Sequence, residues 1–459
     1  MVLLRRTDGE PARRILSLEK VTSLTDRDSQ DRLLLLIPTT SYRVADFLDA
    51  ARRLDVDVAV GSNKRHVLEA FADGRTVTID FQDPEKGVRE ICAYARDHPL
   101  SAVLGVDEET TVLASKASKA LGLAHNAPES VEATANKFRF RTVLANSGLL
   151  TPPFSLLTVD SDPERAAREA TYPCVLKPLM LSASRGVIRA DNPDQFITAF
   201  HRITRILEQP DVVTLRDTAK HILVEGYVAG REVALEGLLD GGRLKVLALF
   251  DKPDPLEGPF FEETIYVTPS RLPESWQSRV MDATVQAVTA LGLRDGPIHA
   301  ELRLNDQGPW VIEVGARSIG GLCARALRFG AGISLEELIL SHVLGLPIET
   351  MAREDKATGV MMIPIPQAGV LESVGGLEAA RRVSGVDDVT ITIPMGQEVV
   401  PLPEGNKYLG FIFARGDSPE AVETALRKSH HCLQFRIDSG AEAEKPPGYR
   451  RRLDGHLPI

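Results

Sequence analysis

The stretch GPIHAELRLNDQGPWVIEVGARSIGG, residues 296–321, holds two segments in which apolar and polar residues alternate. The turn-forming residues NDQGP separate the two segments, so the stretch predicts a β-hairpin. With Leu304 paired to Trp310 across this loop, the register places Glu301 opposite Glu313. Like charges that oppose each other directly weaken a hairpin. A divalent cation between the two carboxylates would remove the repulsion, because hard cations prefer oxygen ligands.

The predicted register also divides the hairpin into a polar and an apolar face. On a solvated face, Arg303 or Arg317 could neutralise the two glutamates, and the hairpin alone does not decide between this arrangement and a metal site. His299, Glu301 and Arg303 are expected on the polar face, and Leu302, Leu304, Ile312 and Val314 on the apolar face.

Composition and charge exclude several classes of protein. The chain has 459 residues, which suggests about three domains, and 43% of them are apolar, as in globular proteins. A net charge of −10 argues against a general nucleic-acid or membrane-surface binder. The 4 cysteines show no CxxC or Cys/His spacing, so neither a zinc site nor a disulfide framework is indicated. Because no signal peptide or membrane-spanning run is recognisable, we expect a cytoplasmic protein.

The order of predicted elements divides the chain into three blocks. Strands alternate with amphipathic helices from DRLLLLIPTT to SKALGL, which predicts a parallel α/β layer. The second block mixes antiparallel strands with helices, and its stretch ESVEATANKFRFRTVLANSGLL predicts a helix that ends at Gly148. The predicted boundaries are a flexible arm at 1–30, an α/β domain at 31–128, a second domain at 129–345, a C-terminal α+β domain at 346–440 and a mobile tail at 441–459.

A lysine stands at the end of an apolar strand in the second block. Lys177 closes CVLK, and the loop LMLSASRG follows it before the next strand, VIRA. An ammonium group beside Ser182, Ser184 and the backbone around Gly186 can contact phosphate oxygens. The loop has one glycine and is not a Walker-type P-loop, so an ordinary surface turn is the alternative.

A second irregular segment lies between two strands, from Gly226 to Gly230, and the strand after it carries Glu232 and Glu236 on one face. Such a break leaves backbone groups unpaired, so an adenine edge could pair with them while a carboxylate binds ribose hydroxyls. An irregular hairpin with exposed glutamates is the alternative.

Taken in order, these motifs resemble those of the ATP-grasp ligases, over roughly residues 30–440. The resemblance implies a Rossmann-like N-terminal domain, an ATP-grasp domain with a lid at about 170–230, and a C-terminal α+β domain. The motifs that carry it are Lys137 in ANKFRFRTVLANSGLLTPPF, Lys177 in LKPLMLSASRG, Glu225 before VAGRE, and the pair Glu301 and Glu313 followed by Arg317.

The resemblance implies that MgATP lies between two subdomains, with Mn²⁺ as an alternative metal. Lys137 and Lys177 would hold the phosphates, and the loop from Ser182 to Gly186 would cover them. Glu301 and Glu313 would bind the metal between the β- and γ-phosphates, which explains why the sequence opposes two carboxylates.

The same resemblance implies roles around the nucleoside and the reacting groups. Glu225 and the backbone of Val228 would contact adenine, and Glu232 would contact the ribose. The γ-phosphate would pass to a substrate carboxylate, and an amine would attack the resulting acyl phosphate with release of ADP and phosphate. Arg317 would grip the carboxylate or acyl phosphate, and Glu263 would lie near the amine.

Within the family, EVGARSIGG and FFEETIYVTPSRLP are most similar to the amino-acid ligases that form dipeptides or related amides. Three residues depart from the family pattern. Gly315 stands where many members have an asparagine metal ligand, and Ala183 replaces a glycine common in the phosphate loop, which predicts a stiffer lid. Tyr266 stands where dipeptide-forming members often have histidine. The number of metal ions and the substrates therefore stay open.

Two other functions are compatible with the motifs. An ATP-grasp enzyme of purine or carboxylation metabolism would share the fold, but nothing in the sequence identifies the bicarbonate or biotin that carboxylation would use. A non-catalytic nucleotide-binding regulator would not need Arg317. We expect small-molecule acid and amine substrates and neither nucleic acid nor membrane as partner, while the oligomeric state, a homodimer included, is left open.

Overall fold

The structure is a computed structural model that describes residues 32–64 and 75–440, apart from the side chains of residues 215 and 216. The arm predicted at residues 1–30 and the tail predicted at 441–459 lie outside the described residues. Strands are numbered β1–β21 and helices α1–α11 in chain order.

The N-terminal block is a parallel sheet covered by helices, as the sequence predicts. Its elements are β1 (Leu33–Leu36), α1 (Val44–Arg53), β2 (Val58–Ser62), β3 (Thr76–Thr78), α2 (Pro84–Asp97), β4 (Ala102–Gly105) and α3 (Glu108–Leu121). The strands lie in the order β3-β2-β1-β4. All four leucines of β1 are buried, because alternate leucines pack against α1 on one face and against α2 and α3 on the other.

The next block contains a four-stranded antiparallel sheet in the order β5-β8-β6-β7. Its elements are α4 (Pro128–Ala135), α5 (Lys137–Asn146), β5 (Phe154–Thr158), α6 (Pro163–Glu169), β6 (Cys174–Pro178), β7 (Ile188–Ala190), α7 (Pro193–Leu207), a 3-10 helix (Val213–Lys220) and β8 (His221–Gly226). The loop between β6 and β7 is the predicted phosphate loop. We call the block from β5 to β8 the small sheet.

The prediction of a single helix before Gly148 is wrong, because the segment forms two helices, α4 and α5. Asn136 leaves the helical conformation, with φ −101° and ψ 107°. Its side chain accepts hydrogen bonds from the backbone N–H groups of Phe138 and Arg139, and so caps the second helix. Lys137 therefore becomes the first residue of α5.

An eight-stranded antiparallel sheet joins the rest of the second block to the C-terminal block, in the order β13-β12-β9-β10-β11-β16-β20-β18. We call it the large sheet. Up to residue 345 the elements are β9 (Arg231–Asp240), β10 (Arg243–Asp251), β11 (Ile265–Thr268), α8 (Glu274–Leu291), β12 (Gly296–Asn305), β13 (Gly308–Gly315), a 3-10 helix (Cys323–Ala326), β14 (Arg328–Phe329), β15 (Ile333–Ser334) and α9 (Leu335–Val343).

The C-terminal block contributes three strands to the large sheet. It also forms a separate three-stranded sheet, in the order β19-β17-β21. Its elements are β16 (Ala357–Ile363), β17 (Gly369–Gly375), α10 (Leu377–Arg381), β18 (Val386–Ile391), β19 (Glu398–Val399), β20 (Gly410–Gly416), α11 (Pro419–Cys432) and β21 (Gln434–Asp438). Helix α11 packs against β16 and β20 in one apolar core. The predicted mixture of a parallel α/β layer with α+β domains is confirmed, and the domain boundaries stay predictions.

The hairpin of β12 and β13 brings Glu301 opposite Glu313, as predicted. The loop, however, is shorter than predicted, because Leu304 pairs with Pro309 and not with Trp310. A bulge farther along β13 adds one residue and restores the expected pairing at the two glutamates.

This bulge changes which apolar side chains face the core. The extra residue is Ile312, since Leu302 pairs with Val311 while the next pair joins the two glutamates. Val311 packs in the core beneath the sheet, and Ile312 lines a cavity on the other face. The prediction that Ile312 lies on the apolar face is therefore wrong.

All four cysteines lie in the described residues as free thiols, with Cys174 and Cys323 buried. Among the residues that the structure describes, no helix is both long and apolar enough to cross a membrane.

Candidate active site

Two adjoining cavities lie where the small sheet, the large sheet and the N-terminal block meet. The first cavity, of about 690 Å³, is bounded by the small sheet, by the polar faces of β9 and β12, and by the end of β13. The second cavity, of about 1240 Å³, reaches the N-terminal ends of α1 and α3 and the segment before β20. Glu263, Glu301 and Glu313 line both cavities and so mark their junction.

Most of the predicted site residues meet at these cavities. Arg317 lines the second cavity but not the first. Gly186 lines neither, and its backbone N–H donates to the carbonyl of Pro403 over 2.9 Å. The predicted residues that line the first cavity are Lys137, Lys177, Ser182, Ser184, Glu225, Val228, Glu232, Glu263, Glu301 and Glu313.

The two predicted phosphate lysines are held in different ways. Lys137 Nζ donates to the carbonyl of Leu181 over 2.7 Å and so ties α5 to the phosphate loop. Lys177 is buried at the end of β6 and forms an ion pair with Glu225. Burial lowers the pKa of Lys177, and the nearby carboxylate opposes this effect.

Arg141 is a further cation at this end of the first cavity, and the sequence motifs did not predict it. Its Nε donates to Glu225 over 2.8 Å, and its Nη1 donates to the carbonyl of Val311 over 2.9 Å. Burial raises the pKa of Glu225, but the charges of Arg141 and Lys177 outweigh it and lower the pKa to about 2. Arg141 lies four residues after Lys137 on α5, and this helical spacing was the available signal.

The phosphate loop has an unusual backbone. Ala183 and Ser184 both adopt φ +54°, in the left-handed region that glycine occupies readily. Gly186 has φ +73°, and a side chain there would lie 2.6 Å from Cγ of Pro178, so this position requires glycine. The left-handed conformation costs a residue such as Ala183 about 1 kcal/mol. The predicted stiffness of this loop stays a prediction.

The loop is also fastened to the C-terminal block through Glu404. Arg202 of α7 donates two hydrogen bonds to the Glu404 carboxylate, of 2.5 and 2.9 Å. Arg185 donates to the backbone carbonyl of Glu404 over 2.9 Å, beside the bond from Gly186 to Pro403. We call these bonds the Glu404 contact. They join the small sheet to the segment before β20.

Three donors converge on one oxygen of Glu301. Its Oε1 lies 2.9 Å from Nζ of Lys252, 3.2 Å from Nε2 of His299 and 3.5 Å from the hydroxyl of Tyr266. Burial raises the pKa of Glu301, but Lys252 and His299 outweigh it and hold the pKa well below its ordinary value. Since the donors share Oε1, Oε2 is the oxygen that a cation opposite Glu313 could bind.

Lys252 is the centre of this charged cluster, and the sequence motifs did not predict it either. Its Nζ lies 2.7 Å from Glu232 and 2.9 Å from Glu301, and it also contacts Glu263. Burial lowers the pKa of Lys252, but the three carboxylates outweigh it and raise the pKa well above the ordinary value. Lys252 directly follows β10, and Lys177 is the last residue but one of β6, so a lysine near a strand end was again the available signal.

His299 is held by a second carboxylate behind it. Its Nδ1 contacts Glu236, whose other oxygen accepts a 2.9 Å hydrogen bond from the backbone N–H of Ile319. Burial lowers the pKa of His299, but Glu236 outweighs it and raises the pKa to about 9. A protonated imidazole donates from both nitrogens, so His299 donates to Glu236 and to Glu301.

Glu263 and Tyr266 complete the junction between the cavities. Burial and the charge of Glu301 raise the pKa of Glu263 to about 7, although Lys252 opposes this shift. Tyr266 is buried, and burial raises the pKa of its hydroxyl well above the ordinary value. Tyr266 stands in the wall of the second cavity beside Glu263, at the place where the amine was predicted to bind.

The two arginines that could have neutralised the glutamate pair have other partners. Nε of Arg303 donates to Glu232 over 2.7 Å, and its Nη1 donates to the carbonyl of Val228 over 2.8 Å. Arg317 forms an ion pair with Glu108 at the start of α3. The alternative in which Arg303 or Arg317 pairs with Glu301 on a solvated face is therefore wrong.

The donor set at Glu301 and Glu313 fits a hard divalent cation. Glu301 offers one carboxylate oxygen, Glu313 has no ion pair among the described residues, and both side chains face the junction of the cavities. Magnesium is typically bound by one or two protein carboxylates, and its remaining coordination positions are then open to phosphate oxygens.

Comparison with known proteins matches three parts of the chain to family models. The model of the ATP-grasp N-terminal domain matches residues 48–125, that of the ATP-grasp domain matches 170–326, and that of the L-amino acid ligase C-terminal domain 2 matches 361–438.

Individual relatives give a consistent picture. The chain is 24% identical to alanine–anticapsin ligase of Bacillus subtilis (strain 168) over 275 residues, which is 57% of this chain and 58% of that protein. It is 28% identical to carnosine synthase 1 of Homo sapiens over 445 residues, which is 88% of this chain and 53% of that protein. The chain thus spans little more than half the length of these relatives.

A solved structure extends the likeness over most of the chain. The crystal structure of L-amino acid ligase from Bacillus licheniformis superposes with a TM-score of 0.77 at 26% identity. The match covers 89% of this chain and 99% of that one.

Proposed function

This chain is an ATP-grasp protein with the C-terminal domain of L-amino acid ligases, and we propose that it joins a small carboxylic acid to an amine at the expense of ATP. The acid is an amino acid or a compound of similar size, and the products are an amide, ADP and phosphate. One observation carries the proposal. Glu263, Glu301 and Glu313 stand at the junction of a cavity lined by Lys137 and Lys177 and a cavity that is large enough for small substrates.

The first cavity is the proposed nucleotide site. Lys137 and Lys177 neutralise the phosphates, and both ammonium groups are positioned in advance by Leu181 and Glu225. The loop around Ser182 and Ser184 covers the phosphates from the small sheet. Preorganised charge of this kind lowers the barrier of phosphoryl transfer, because little rearrangement is needed as charge develops.

The nucleoside is proposed to lie deeper in the first cavity. Val228 and Glu225 line the cavity where the backbone leaves β8, and Glu232 lies on the adjacent strand β9. We propose that adenine lies against Val228 and that the Glu232 carboxylate accepts hydrogen bonds from the ribose. Since Arg141 and Lys177 occupy the Glu225 carboxylate, Glu225 contributes by holding those cations.

Glu301 and Glu313 are the proposed ligands of Mg²⁺ or Mn²⁺, which would neutralise the β- and γ-phosphates. Phosphoryl transfer breaks the bond between the γ-phosphorus and its bridging oxygen and forms a bond to an oxygen of the substrate carboxylate. The amine then attacks the acyl carbon, phosphate leaves, and the amine loses a proton. Arg317 is proposed to stabilise the acid and its acyl phosphate in the second cavity, and Glu263 to bind the amine.

The ATP-grasp enzymes of purine and carboxylation metabolism are the alternative that shares this fold. The C-terminal match at residues 361–438 favours the amide-forming ligase. A non-catalytic regulator would bind nucleotide equally well, but it would not need a buried arginine in a cavity beside the nucleotide site.

The decisive experiment is to incubate the protein with Mg²⁺, ATP and pooled amino acids and small acids, and to measure nucleotide and phosphate products with mass spectrometry of new amides. We expect ADP and phosphate in equal amounts with one amide. Stoichiometric AMP and pyrophosphate would contradict the acyl-phosphate route. Turnover that depends on bicarbonate would favour the carboxylation alternative, and binding without turnover would favour the regulator.

We also propose that the enzyme acts in the cytoplasm, where its cosubstrate ATP is abundant, and that it acts as a homodimer. Light scattering of the purified protein tests the oligomeric state, and a mass of one chain of 50.1 kDa would contradict the dimer.

A further inference from the structure

A third cavity lies apart from the two cavities of the candidate active site. It has a volume of about 930 Å³ and is lined by β4 and α3 of the N-terminal block, by the start of β12 and by the end of α9. Among the described residues, none lines both this cavity and either of the other two. No step of the proposed function therefore makes use of it.

The face of α3 that lines this cavity carries small side chains and hydroxyl groups. Thr111, Ala114, Ser115 and Ser118 recur at helical spacing on this face. A helix face that packs against a neighbouring element normally carries larger apolar side chains, so the small residues leave room for a ligand. Ser118 is only 1% exposed, and its hydroxyl has no hydrogen-bond partner among the described residues. A buried polar group without a partner is costly, so this hydroxyl indicates a polar group bound in the cavity.

The other two hydroxyls of this face offer acceptors to the cavity. Oγ1 of Thr111 donates to the carbonyl of Glu108 over 2.9 Å, and Oγ of Ser115 donates to the carbonyl of Asn126 over 2.6 Å. A hydroxyl has one proton and two lone pairs, so only the lone pairs are left for a ligand. This face of α3 therefore favours a ligand that donates hydrogen bonds.

Asn126 brings one of these hydroxyls close to an aspartate. Its backbone carbonyl accepts from Ser115, while its side-chain amide donates to the carbonyl of Asp295 over 2.6 Å and accepts from the N–H of Asp295 over 3.0 Å. Asp295 and Asp240 both line the cavity, and neither forms an ion pair among the described residues. Oδ1 of Asp295 accepts a 2.9 Å hydrogen bond from the backbone N–H of Gly241, so Oδ2 is left for a ligand.

The charge of the wall favours a cation. In the described part of the chain, no lysine or arginine lines the cavity, whereas the two aspartates do. Its other titratable side chains, His125 and His342, bond to the backbone. Nδ1 of His125 donates to the carbonyl of Leu123 over 2.7 Å, and the N–H of Gly296 donates to Nε2 of His342 over 3.3 Å. Within the described residues, three potential metal ligands converge only at the first cavity, so an organic cation fits the third cavity better than a metal ion.

We propose that the third cavity binds a small primary amine with a short apolar chain, as an effector of the active site. The ammonium group supplies three donors and a positive charge, which match the carboxylates of Asp240 and Asp295 and the lone pairs on α3. The chain lies against the aliphatic part of the wall, which includes Val103, Val131 and Val343.

The position of the cavity connects it to the proposed substrate site. Ala316 lines the third cavity, and the next residue, Arg317, lines the second. Thr111 lines the third cavity and bonds to the carbonyl of Glu108, whose carboxylate pairs with Arg317. Both members of this ion pair are thus attached to the wall of the third cavity. A ligand that fills the cavity holds the pair in place, so it should improve binding of the acid.

The experiment measures binding of n-pentylamine to the full-length protein by isothermal titration calorimetry at pH 7.5. We expect one site per chain with a dissociation constant on the order of 1 mM or lower. Pentanoate has a similar chain and the opposite charge, and it should not bind to this site. Pentanoate that competes with pentylamine, or the absence of any pentylamine binding, would overturn the inference.

Four variants locate the bound amine. Asp295→Asn keeps an oxygen for the N–H of Gly241 but loses the charge, so it should weaken binding by roughly fivefold or more. Ser118→Leu should abolish binding, because the larger side chain fills the cavity. Asp306→Asn, in an exposed turn away from the cavity, should match the wild type. Glu263→Gln should also keep its affinity, since Glu263 belongs to the proposed active site. Wild-type affinity in Asp295→Asn with loss of binding in Glu263→Gln would place the amine in the active site and overturn the inference.

The effector role has its own measurement and rests on the proposed function, whereas the binding site does not. Pentylamine should lower KM for the acid by roughly fivefold in the wild type and leave KM unchanged in Asp295→Asn. An equal effect on both proteins, or none on the wild type, would overturn the effector role. A protein that binds pentylamine in the third cavity and turns over no acid would overturn the proposed function and the effector role with it, and it would support the binding site.

Discussion

Nε of Arg317, on the loop after β13, lies 3.0 Å from Oε2 of Glu108, the first residue of α3. The pair connects the large sheet to the N-terminal parallel block across the second cavity. Both side chains are at most 15% exposed. Burial raises the pKa of Glu108, and the Arg317 charge opposes this shift. Arg317 is therefore a fixed part of the cavity wall, and a substrate carboxylate would find its guanidinium already in position.

We expect Arg317→Met to lower kcat and kcat/KM for the acid together, by about a hundredfold, because the lost charge acts on the transferring phosphoryl group. Steady-state kinetics with saturating ATP measure the change. Arg325→Met is the matched control, since Arg325 pairs with Asp46 between the same two blocks but lines neither cavity. If Arg317→Met lowers only the melting temperature and leaves turnover near wild type, Arg317 serves solely as the partner of Glu108.

Replacing Glu313 by glutamine should abolish turnover and leave the fold intact, because one of the two proposed metal ligands loses its charge. The gain in melting temperature that MgATP gives to the wild type should shrink in the variant, and thermal unfolding with and without MgATP measures this. Asp306→Asn, in the exposed turn of the same hairpin, should behave like the wild type. Near-normal ADP formation by Glu313→Gln would remove the metal assignment.

The acid stability of the protein should depend on Glu225. Its pKa of about 2 in the folded protein lies below the ordinary value of 4.5, so its contribution is complete above pH 4.5 and is lost as the pH falls toward 2. We expect Glu225→Gln to lower the free energy of unfolding by on the order of 3 kcal/mol at pH 7. Urea unfolding at several pH values should show the difference narrowing below pH 4.5. A difference that stays constant down to pH 2.5 would show that the charge of Glu225 does not stabilise the fold.

Weakening the Glu404 contact should speed nucleotide release. The side chains of Arg202 and Glu404 are about one third exposed, at 34% and 31%, so their ion pair contributes at most about 1 kcal/mol. Glu404→Gln should therefore raise the dissociation rate of a fluorescent ADP analogue by roughly two- to fivefold in stopped-flow measurements. Glu398→Gln, at an exposed position of the same block, is the control. An unchanged rate would mean that the contact does not restrain the small sheet.

The hairpin shows how far local sequence patterns determine a strand pair. Alternation correctly predicted the two strands and the opposed glutamates, because the buried face demands that periodicity. It could not predict the bulge at Ile312, since one shorter turn and one extra residue compensate and leave the pairing of Glu301 with Glu313 unchanged. Which of two adjacent apolar residues faces the core depends on the bulge, and no local pattern specifies it.

The ion-pair partners of the charged groups in the site could not be predicted from the sequence. The sequence predicts that Glu301 and Glu313 face each other, but the cationic partners of the site's carboxylates come from other elements. Lys252 follows β10, Arg141 belongs to α5, and the partner of Arg317 is Glu108 in another block. Such pairings depend on the packing of elements distant in sequence, so residue types and spacing suggest candidates without assigning partners.

The continuity of the large sheet also governs the order in which the chain can fold during synthesis. Strand β11 pairs with β16, and β16 with β20, so the sheet is completed only by residues up to 416. Until those residues leave the ribosome, the Ile265–Thr268 strand presents an unpaired hydrogen-bonding edge, and such edges invite association with other nascent chains. Slow translation between residues 268 and 357 would thus expose this edge for longer, and a chaperone that covers extended apolar segments would be needed most at that stage.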